Sequence, residues 1–326
     1  MQNRMKSTLI LAGVLVILVI LAIAGDRARK ERRNPGEPLY PGLQTEQVSR
    51  VVVSKDTVRV ELSKSAEGTW LVASEGSHPA DMTLVDKLLE VVPKFHTRDL
   101  LSENPEKQEL FEVTDSLGTE VLLEGSGGAQ LAHFYVGKQG PDFMSSYLRP
   151  AEGKKVLLVP QYLKSTFDTG RDTWRDKTIF SFSQDDVTRA ELRPAGQETI
   201  ALAKGEEGKW SIVAPESLTV KESVWTSTLR IASNLKCDGF PEETPPLAEI
   251  GLDPPEQEFL VEMSDGRRDV LKIGGEDEAS HHHYAMKGDD PTLYFLSKGR
   301  VSTLVRNLDI LREDVPPGAE HDHSGD

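Results

Sequence analysis

The sequence predicts an α+β fold in which an N-terminal transmembrane helix precedes two tandem copies of a mostly antiparallel β-sheet unit with packed helices. Three observations support this prediction. The heptad "KSAEGTW" at residues 64–70 recurs as "KGEEGKW" at residues 204–210. Each copy lies among short β-branched runs and is followed by a segment of helical periodicity. An uncharged apolar run, "LILAGVLVILVILAIA", occupies residues 9–24.

Length and charge limit the classes of function. A chain of 326 residues is long for one hydrophobic core, and two domains are therefore expected. The net charge is −15, and the excess of acidic residues lies beyond the basic N-terminal region. Such an acidic body is repelled by phosphate backbones, which excludes nucleic acid as an expected partner. The single cysteine, Cys237, excludes an intramolecular disulfide and a multi-cysteine metal site.

The N-terminal segment predicts contact with a membrane. Residues 7–25 approach the length of about 20 residues that a helix needs to cross a bilayer, so residues 1–33 are assigned to a membrane anchor and its basic flank. The small residues at Ala22–Ala24 also describe a cleavable signal peptide. The basic run "DRARKERR" that follows favours an uncleaved anchor. The same run would keep the body in the cytoplasm by the positive-inside rule, so the residues alone leave the orientation open.

The remaining chain is divided by composition and by the repeat. Residues 34–43, "NPGEPLYPGL", are rich in proline and glycine and predict a non-helical linker. The first α+β repeat is predicted over residues 44–180 and the second over residues 181–315. Residues 316–326, "PPGAEHDHSGD", predict a disordered acidic tail that contains histidine.

The repeat extends well beyond the heptad. Gly68 and Gly208 are predicted to take the positive φ of a hairpin turn. A helix capped by Asp81 is predicted in "DMTLVDKLLEVVPKF". Further along, the offset between the copies changes from 140 to 137, and Gly137 in "FYVGK" corresponds to Gly274 in "LKIGG". The features that recur are core and turn residues, which indicates duplicated structure and not a catalytic motif used twice.

The sequence contains no motif that predicts an enzyme. No phosphate-binding loop, nucleophile elbow, dinucleotide fingerprint or HExxH motif occurs, so we expect neither catalytic residues nor a cofactor. The strongest candidate site is "HHH" at residues 281–283, because imidazoles near carboxylates suit zinc, copper or nickel. Strand alternation would place His281 and His283 on one face, as a metal pair. The alternative is an ordinary strand entry, since the first copy has Met-Ser-Ser in the same place.

Several short motifs resemble those of one known family. They are "LYPGL", "EGTW", "HPAD" before the first helix, "IGLDPP" and "KIGG". Together they resemble an uncharacterised bacterial domain family of unknown function, over most of residues 40–315. The first copy departs from the pattern, because "LFEVTDS" stands where the second copy has "IGLDPP". Members of that family are similar to auxiliary proteins of ABC-type export systems, including systems linked to gliding motility.

The resemblance implies a function that the residues alone do not. It predicts a non-enzymatic cell-envelope protein, single-pass in the bacterial inner membrane through residues 7–25, with most of the chain in the periplasm. Its expected role is an accessory or binding subunit for an ABC permease and ATPase. The alternative is an envelope metal-binding protein that uses the cluster His281–His283.

Overall fold

The computed structural model describes residues 37–73, 77–97, 100–167, 170 and 172–313. The chain divides into two compact units, and the boundary in the sequence falls between Asp176 and Lys177. The segment predicted to enter the membrane, residues 7–25, and the predicted tail, residues 316–326, lie outside the described residues.

Unit 1 is built on one antiparallel sheet. Its strands are β1 (Val48–Lys55), β2 (Val58–Lys64), β3 (Trp70–Val72), β4 (His78–Pro79), β5 (Leu100–Ser102), β6 (Thr119–Gly125), β7 (Gln130–Gln139), β8 (Ser146–Pro150) and β9 (Val156–Val159). They are ordered β4-β3-β2-β1-β6-β7-β8-β9-β5. One α-helix, α1 (Met82–Val91), connects β4 to the opposite edge of the sheet.

Unit 2 is built on a second antiparallel sheet. Its strands are β10 (Val187–Arg193), β11 (Ile200–Lys204), β12 (Trp210–Ala214), β13 (Leu218–Thr219), β14 (Gln257–Met263), β15 (Arg268–Glu276), β16 (His282–Lys287) and β17 (Leu293–Ser297). They are ordered β13-β12-β11-β10-β14-β15-β16-β17, which repeats the order of unit 1 without an equivalent of β5. The helices are α2 (Glu222–Ala232), α3 (Lys298–Leu304) and α4 (Leu308–Leu311).

The predicted α+β class is wrong, because the described chain is mostly β. It contains sheets of nine and eight strands, whereas its four α-helices have 10, 11, 7 and 4 residues. Each unit has only one segment with enough helical periodicity for three turns, and the β-branched runs around it enter the sheets. No helix among the described residues is long and apolar enough to cross a bilayer.

The local predictions around the heptads are confirmed. Gly68 and Gly208 have φ angles of 88° and 76°, as the hairpin turns require. The side chain of Asp81 caps α1, because its carboxylate accepts a hydrogen bond of 2.9 Å from the backbone N–H of Thr83. Below the cap, α1 buries Val85 and Leu88 against the sheet.

The predicted linker contributes residues to unit 1. The backbone N–H of Leu39 donates to the carbonyl oxygen of Phe95 at 2.8 Å. Ile179 and Leu235 make the same bond in unit 2, also at 2.8 Å. Residues 37–43 therefore enter unit 1 in the way that residues 177–183 enter unit 2.

The face of each sheet that carries the helices forms the main core. In unit 2 this core contains Trp225, Phe259 and Leu296. A smaller apolar cluster lies on the opposite face of that sheet, where Ile250 and Leu252 pack on strand residues of β16 and β17. The chain between α2 and β14 therefore crosses the outer face of unit 2, and it forms one wall of the site described next.

Candidate functional site

The candidate site is a groove in unit 2, which we call the acidic groove. Its volume is about 500 Å³, and ligand pockets usually have about 300–1,000 Å³. The charged residues that line it are all carboxylates: Glu242, Glu243 and Asp277. The aromatic residues that line it are Phe240, Tyr284 and Phe295. The groove therefore combines aromatic surface with negative charge.

Two neighbouring strands form its floor. Tyr284 on β16 and Phe295 on β17 are direct cross-strand partners, and their ring centroids lie 5.2 Å apart. The next residues along the strands, Ala285 and Leu296, belong to the main core. Because side chains of a strand alternate between its two faces, the two rings lie on the outer face.

The first wall is the segment at residues 240–245, "FPEETP". Phe240 anchors it, because this ring is buried and lies 5.9 Å from the ring of Tyr294. Gly239 still pairs with Phe295 at the sheet edge, but Pro241 has no N–H to donate and the pairing ends there. In unit 1 the residues 140 positions earlier continue along the edge as β5. The groove thus opens where the chain of unit 2 leaves the sheet.

The second wall is the hairpin between β15 and β16. The hydroxyl of Tyr284 donates to Oδ1 of Asp277 at 2.9 Å, and the backbone N–H of Ser280 donates to Oδ2 at 2.8 Å. The hydrogen bonds from Ser280, followed by that from Tyr284, hold the pKa of Asp277 below its ordinary value. Burial, and then the bond to Asp277, raise the pKa of Tyr284. At neutral pH the pair is therefore a carboxylate fixed by a neutral phenol.

The histidines predicted as metal ligands lie on this hairpin but do not line the groove. His281 precedes β16 with a φ of 58°, so the strand alternation assumed for it does not apply. Its Nδ1 lies 3.1 Å from Oε1 of Glu276, whereas Nδ1 of His283 lies 3.1 Å from the carbonyl oxygen of Gly274. Within the described part of the chain, no three His, Cys, Asp or Glu side chains form a group that could hold a metal ion. Metal binding by His281 and His283 stays a prediction.

A serine, a glutamate and a histidine meet on the sheet of unit 1. Ser54 donates to Oε2 of Glu120 at 2.9 Å, and Nε2 of His133 lies 2.9 Å from Oε1 of the same carboxylate. Burial raises the pKa of Glu120, but the hydrogen bonds from His133 and Ser54 outweigh it, and the pKa is lowered. The carboxylate lies between the other two groups, so the imidazole does not bond the hydroxyl. This order does not activate a serine nucleophile, which needs its base within hydrogen-bond reach.

A second groove, in unit 1, has a volume of about 760 Å³. Tyr40 lines it, and its hydroxyl donates to the carbonyl oxygen of His133 at 2.8 Å. Charges of both signs line the rim: Glu103, Glu152, Lys154 and Lys155. Because charges of both signs are present, this groove favours neither cationic nor anionic ligands, whereas the charged residues that line the acidic groove of unit 2 are all carboxylates.

The acidic groove was not among the sites predicted from the sequence. Its residues come from three stretches, 240–245, 277–284 and 295, and no local motif joins them. Two signals were present in the sequence: the stretch "FPEETPP" at residues 240–246 and the acidic "GEDE" before the histidines. Neither predicted that the chain returns across the outer face and brings them together.

Comparison with known proteins places the chain in a family. No curated protein and no solved structure matches it significantly. One family model matches residues 70–255, which is more than half of the 326 residues. The match begins at Trp70 of β3 in unit 1 and ends at Pro255 of unit 2, so it includes residues of both units. The chain belongs to the family described as Domain of unknown function (DUF4340).

Proposed function

We propose that this protein is a non-enzymatic binding subunit of the bacterial cell envelope, and that the acidic groove of unit 2 contacts its partner. The observation that carries this proposal is the groove itself. It is concave and aromatic, and it bears three carboxylates, a composition suited to recognition. In unit 1, Ser54 and His133 each contact an oxygen of Glu120, and the imidazole is not bonded to the serine hydroxyl as a general base would be.

The proposed partner is the permease and ATPase of an ABC-type export system. The support is the resemblance of "IGLDPP", "KIGG" and "HPAD" to a family similar to auxiliary proteins of such systems. The proposed location is the periplasmic side of the inner membrane. Its support is the same resemblance, together with the apolar run at residues 9–24.

Affinity purification from gently solubilised membranes tests the partner. We expect the full-length protein to recover an ABC permease and its ATPase together. The double variant Glu242→Lys/Glu243→Lys should lose them, because it reverses the charge of the groove. The control Glu206→Lys/Glu207→Lys makes the same change in the hairpin between β11 and β12, whose carboxylates do not line the groove. Recovery of the protein alone would overturn the proposed function.

A reporter fused after Asp326 tests the location. Alkaline phosphatase is active only in the periplasm, and a cytoplasmic fluorescent protein reports the opposite side. We expect active phosphatase. Fluorescence without phosphatase activity would place the acidic body in the cytoplasm and contradict the proposed location.

A further inference from the structure

We infer that another concavity of unit 2, which we call the basic groove, binds the phosphoryl group of a small organic phosphate. Its volume is about 390 Å³, within the usual range of ligand pockets. None of its lining residues lines the acidic groove, so this inference goes beyond the proposed binding function and does not depend on it. The lining residues that matter for its chemistry are Gln197, Gln257, His283, Lys298, Val301 and Arg306.

The basic groove lies at the end of the sheet where α3 begins. Lys298, Val301 and Val305 line it, and their spacing of three and four residues places them on one face of a helical segment. Gln197 comes from the hairpin between β10 and β11, and Gln257 is the first residue of β14. The groove is therefore built from a helix and from strand ends that the sheet holds in place.

The charged side chains of the lining are cationic. They belong to Lys298 and Arg306, and no carboxylate is found among the described residues that line the groove. Arg300, on the same helix, pairs with Asp238 at 3.2 Å, whereas neither Lys298 nor Arg306 forms an ion pair within the described part of the chain. At physiological ionic strength, exposed charges more than about 8 Å apart are largely screened. An anion in the groove is thus attracted by these two cations although the whole chain is acidic.

Arg306 is held in place by a neutral partner. Its Nε donates to the hydroxyl oxygen of Thr228 at 3.2 Å, and this hydroxyl donates to the carbonyl oxygen of Thr303 at 2.9 Å. Thr228 is fully buried, so the anchor of the guanidinium belongs to the core. The contact fixes one edge of the guanidinium without neutralising its charge. The two Nη groups can then donate together to an oxyanion, the geometry in which arginine binds phosphate.

The lining favours a phosphate ester over a simple carboxylate. Two cations balance the charge of a phosphate dianion, whereas a single carboxylate would leave one of them unpaired. Nδ1 of His283 lies 3.1 Å from the carbonyl oxygen of Gly274, which can only accept, so the neutral ring has Nε2 as a free acceptor for a ligand hydroxyl. Pro194 and Ile310 add apolar surface for the carbon part of the ligand.

The corresponding place in unit 1 has no cation at two of these positions. Ser146 and Gln161 precede His283 and Lys298 by 137 residues, and the same offset relates the pairing of β8 with β9 to that of β16 with β17. The hydroxyl oxygen of Ser146 accepts from the backbone N–H of Leu163 at 2.9 Å, and both residues are buried. Unit 1 therefore uses this position to hold its own chain, and the basic chemistry belongs to unit 2.

Equilibrium dialysis of the full-length protein tests the inference, with radiolabelled glycerol phosphate as the probe at physiological ionic strength. We expect saturable binding of one probe molecule per chain. Unlabelled glycerate, which has a carboxylate in place of the phosphoryl group, should compete about tenfold or more weakly, because it carries less charge and fewer acceptor oxygens. Lack of saturable binding, or equal competition by glycerate, would overturn the inference.

A second competitor distinguishes the source of the phosphoryl group. Short-chain phosphatidic acid presents the same phosphate monoester on a lipid backbone. If it displaces the probe more effectively than unlabelled glycerol phosphate does, the ligand is a lipid headgroup. If it competes less effectively, the ligand is a soluble phosphate. Both results support the recognition of a phosphoryl group, whereas failure of both phosphates to displace the probe would show that the probe binds non-specifically and would overturn it.

Variants locate the binding. Lys298→Gln/Arg306→Gln should weaken binding of glycerol phosphate about tenfold or more. Lys298→Gln alone should weaken it about threefold or more, and it leaves the Thr228 anchor intact. The matched control Lys209→Gln/Arg267→Gln removes one lysine and one arginine from hairpins at the opposite end of the sheet and should leave binding unchanged. Thermal unfolding checks that each variant is folded. Equal weakening by the control, or unchanged binding in a folded Lys298→Gln variant, would contradict the basic groove as the site.

Discussion

The carbonyl oxygen of Phe111 lies directly over Gly137, so that a Cβ atom at this glycine would be only 2.2 Å from it. The backbone N–H of Lys138 donates to the same oxygen at 3.2 Å. In unit 2 the carbonyl oxygen of Ile250 lies 2.1 Å from the Cβ position of Gly274 and accepts from the next N–H at 2.9 Å. Both crossing segments are thus held to their sheets by the backbone, over a glycine.

We expect Gly137→Ala and Gly274→Ala each to destabilise the protein by about 1–3 kcal/mol, the usual cost of forcing extra volume into a packed site. The free energy of unfolding in urea measures the loss. Gly299→Ala is the control, because nothing lies within 4 Å of its Cβ position and it lies in α3, where alanine is favoured. If Gly274→Ala is as harmless as this control, the close contact does not exist in solution.

The hydroxyl of Tyr40 predicts a dependence of stability on alkaline pH. Burial raises the pKa of Tyr40 above its ordinary value, with a smaller opposing effect from its bond to His133. The folded protein then binds the phenolic proton more tightly than the unfolded chain does. This contribution to stability is complete below the unfolded pKa of about 10 and is lost as the pH rises beyond it.

Tyr40→Phe should therefore cost about 1 kcal/mol at neutral pH, through the lost hydrogen bond. The difference from the wild type should shrink above about pH 10. There the phenol of Tyr40 loses its proton in the unfolded chain, which lowers the free energy of unfolding of the wild type but not of the variant. Urea unfolding across this range measures it, with Tyr162→Phe as the exposed control. A difference that does not change with pH would contradict the role of the Tyr40 proton. Phe180, which occupies the corresponding place in unit 2, shows that the packing itself accepts phenylalanine.

The ion pairs of Arg50 predict a dependence of stability on acid pH. Its guanidinium bonds Glu61 at 2.7 Å and also pairs with Glu124. The hydrogen bond from Arg50 is the main cause that holds the pKa of Glu61 below its ordinary value. A lowered folded pKa adds stability above the unfolded pKa of about 4.3, and this stability is lost as the pH falls below it.

Arg50→Gln should thus cost about 0.5–1 kcal/mol at neutral pH, a modest value because the pair is partly exposed and screened. The cost should shrink as the pH falls below about 4.3 and vanish once Glu61 is protonated in the folded wild type as well. Arg189→Gln is the matched control from unit 2, since Arg189 is more exposed and pairs with Glu191 at 3.2 Å. A larger loss of stability in Arg189→Gln than in Arg50→Gln would contradict the stabilising role of the Arg50 ion pairs.

The predicted metal site has a direct test. Nδ1 of His281 lies beside Glu276 and Nδ1 of His283 lies beside the carbonyl oxygen of Gly274, so a metal ion would have to bind the Nε2 atoms. Among the described residues, however, no group of three His, Cys, Asp or Glu side chains could hold it. We expect the full-length protein to bind zinc no more tightly than the His281→Ala/His283→Ala variant in equilibrium dialysis. One zinc per chain, lost in the variant, would instead establish the site.

Local structure was predictable from the sequence where one short segment decides it. The turn at Gly208 needs positive φ, and the cap at Asp81 needs only the backbone two residues later, so both predictions held. The predicted α+β fold class was wrong because segments with helical periodicity form only a small part of each unit. The strand β4 has only two residues and therefore no periodicity that could predict its pairing with β3.

The acidic groove was not predictable for a different reason. Its floor is set by the register of β16 and β17, which pairs Tyr284 with Phe295. Its first wall depends on Pro241 ending an edge pairing that continues in unit 1. The crossing loops also differ in sequence, "LFEV" and "EIGL", although Glu112 and Gly251 adopt similar φ angles of 57° and 66°. Such relationships join residues far apart in the chain, and a single sequence carries no signal of them.

The hairpin between β7 and β8 supports a last prediction, about Phe143. This residue has a φ of 60°, and its side chain is 73% exposed. Asp142 fixes the turn, because its carboxylate accepts from the backbone N–H groups of Met144 at 3.1 Å and Ser145 at 2.9 Å. A left-handed conformation costs a residue with a side chain about 1–2 kcal/mol, and the exposed ring regains little of this by packing.

Phe143→Gly should therefore leave the free energy of unfolding unchanged or raise it by up to about 1 kcal/mol, although it removes a whole aromatic side chain. Met144→Gly is the matched control: its side chain is 70% exposed, but its φ is not positive. There glycine only adds freedom to the unfolded chain and should cost about 0.5–1 kcal/mol. Urea unfolding of the two variants decides between strain and packing. Equal losses would mean that the Phe143 ring stabilises the hairpin in solution, because relief of the strained backbone would then have been offset by lost contacts.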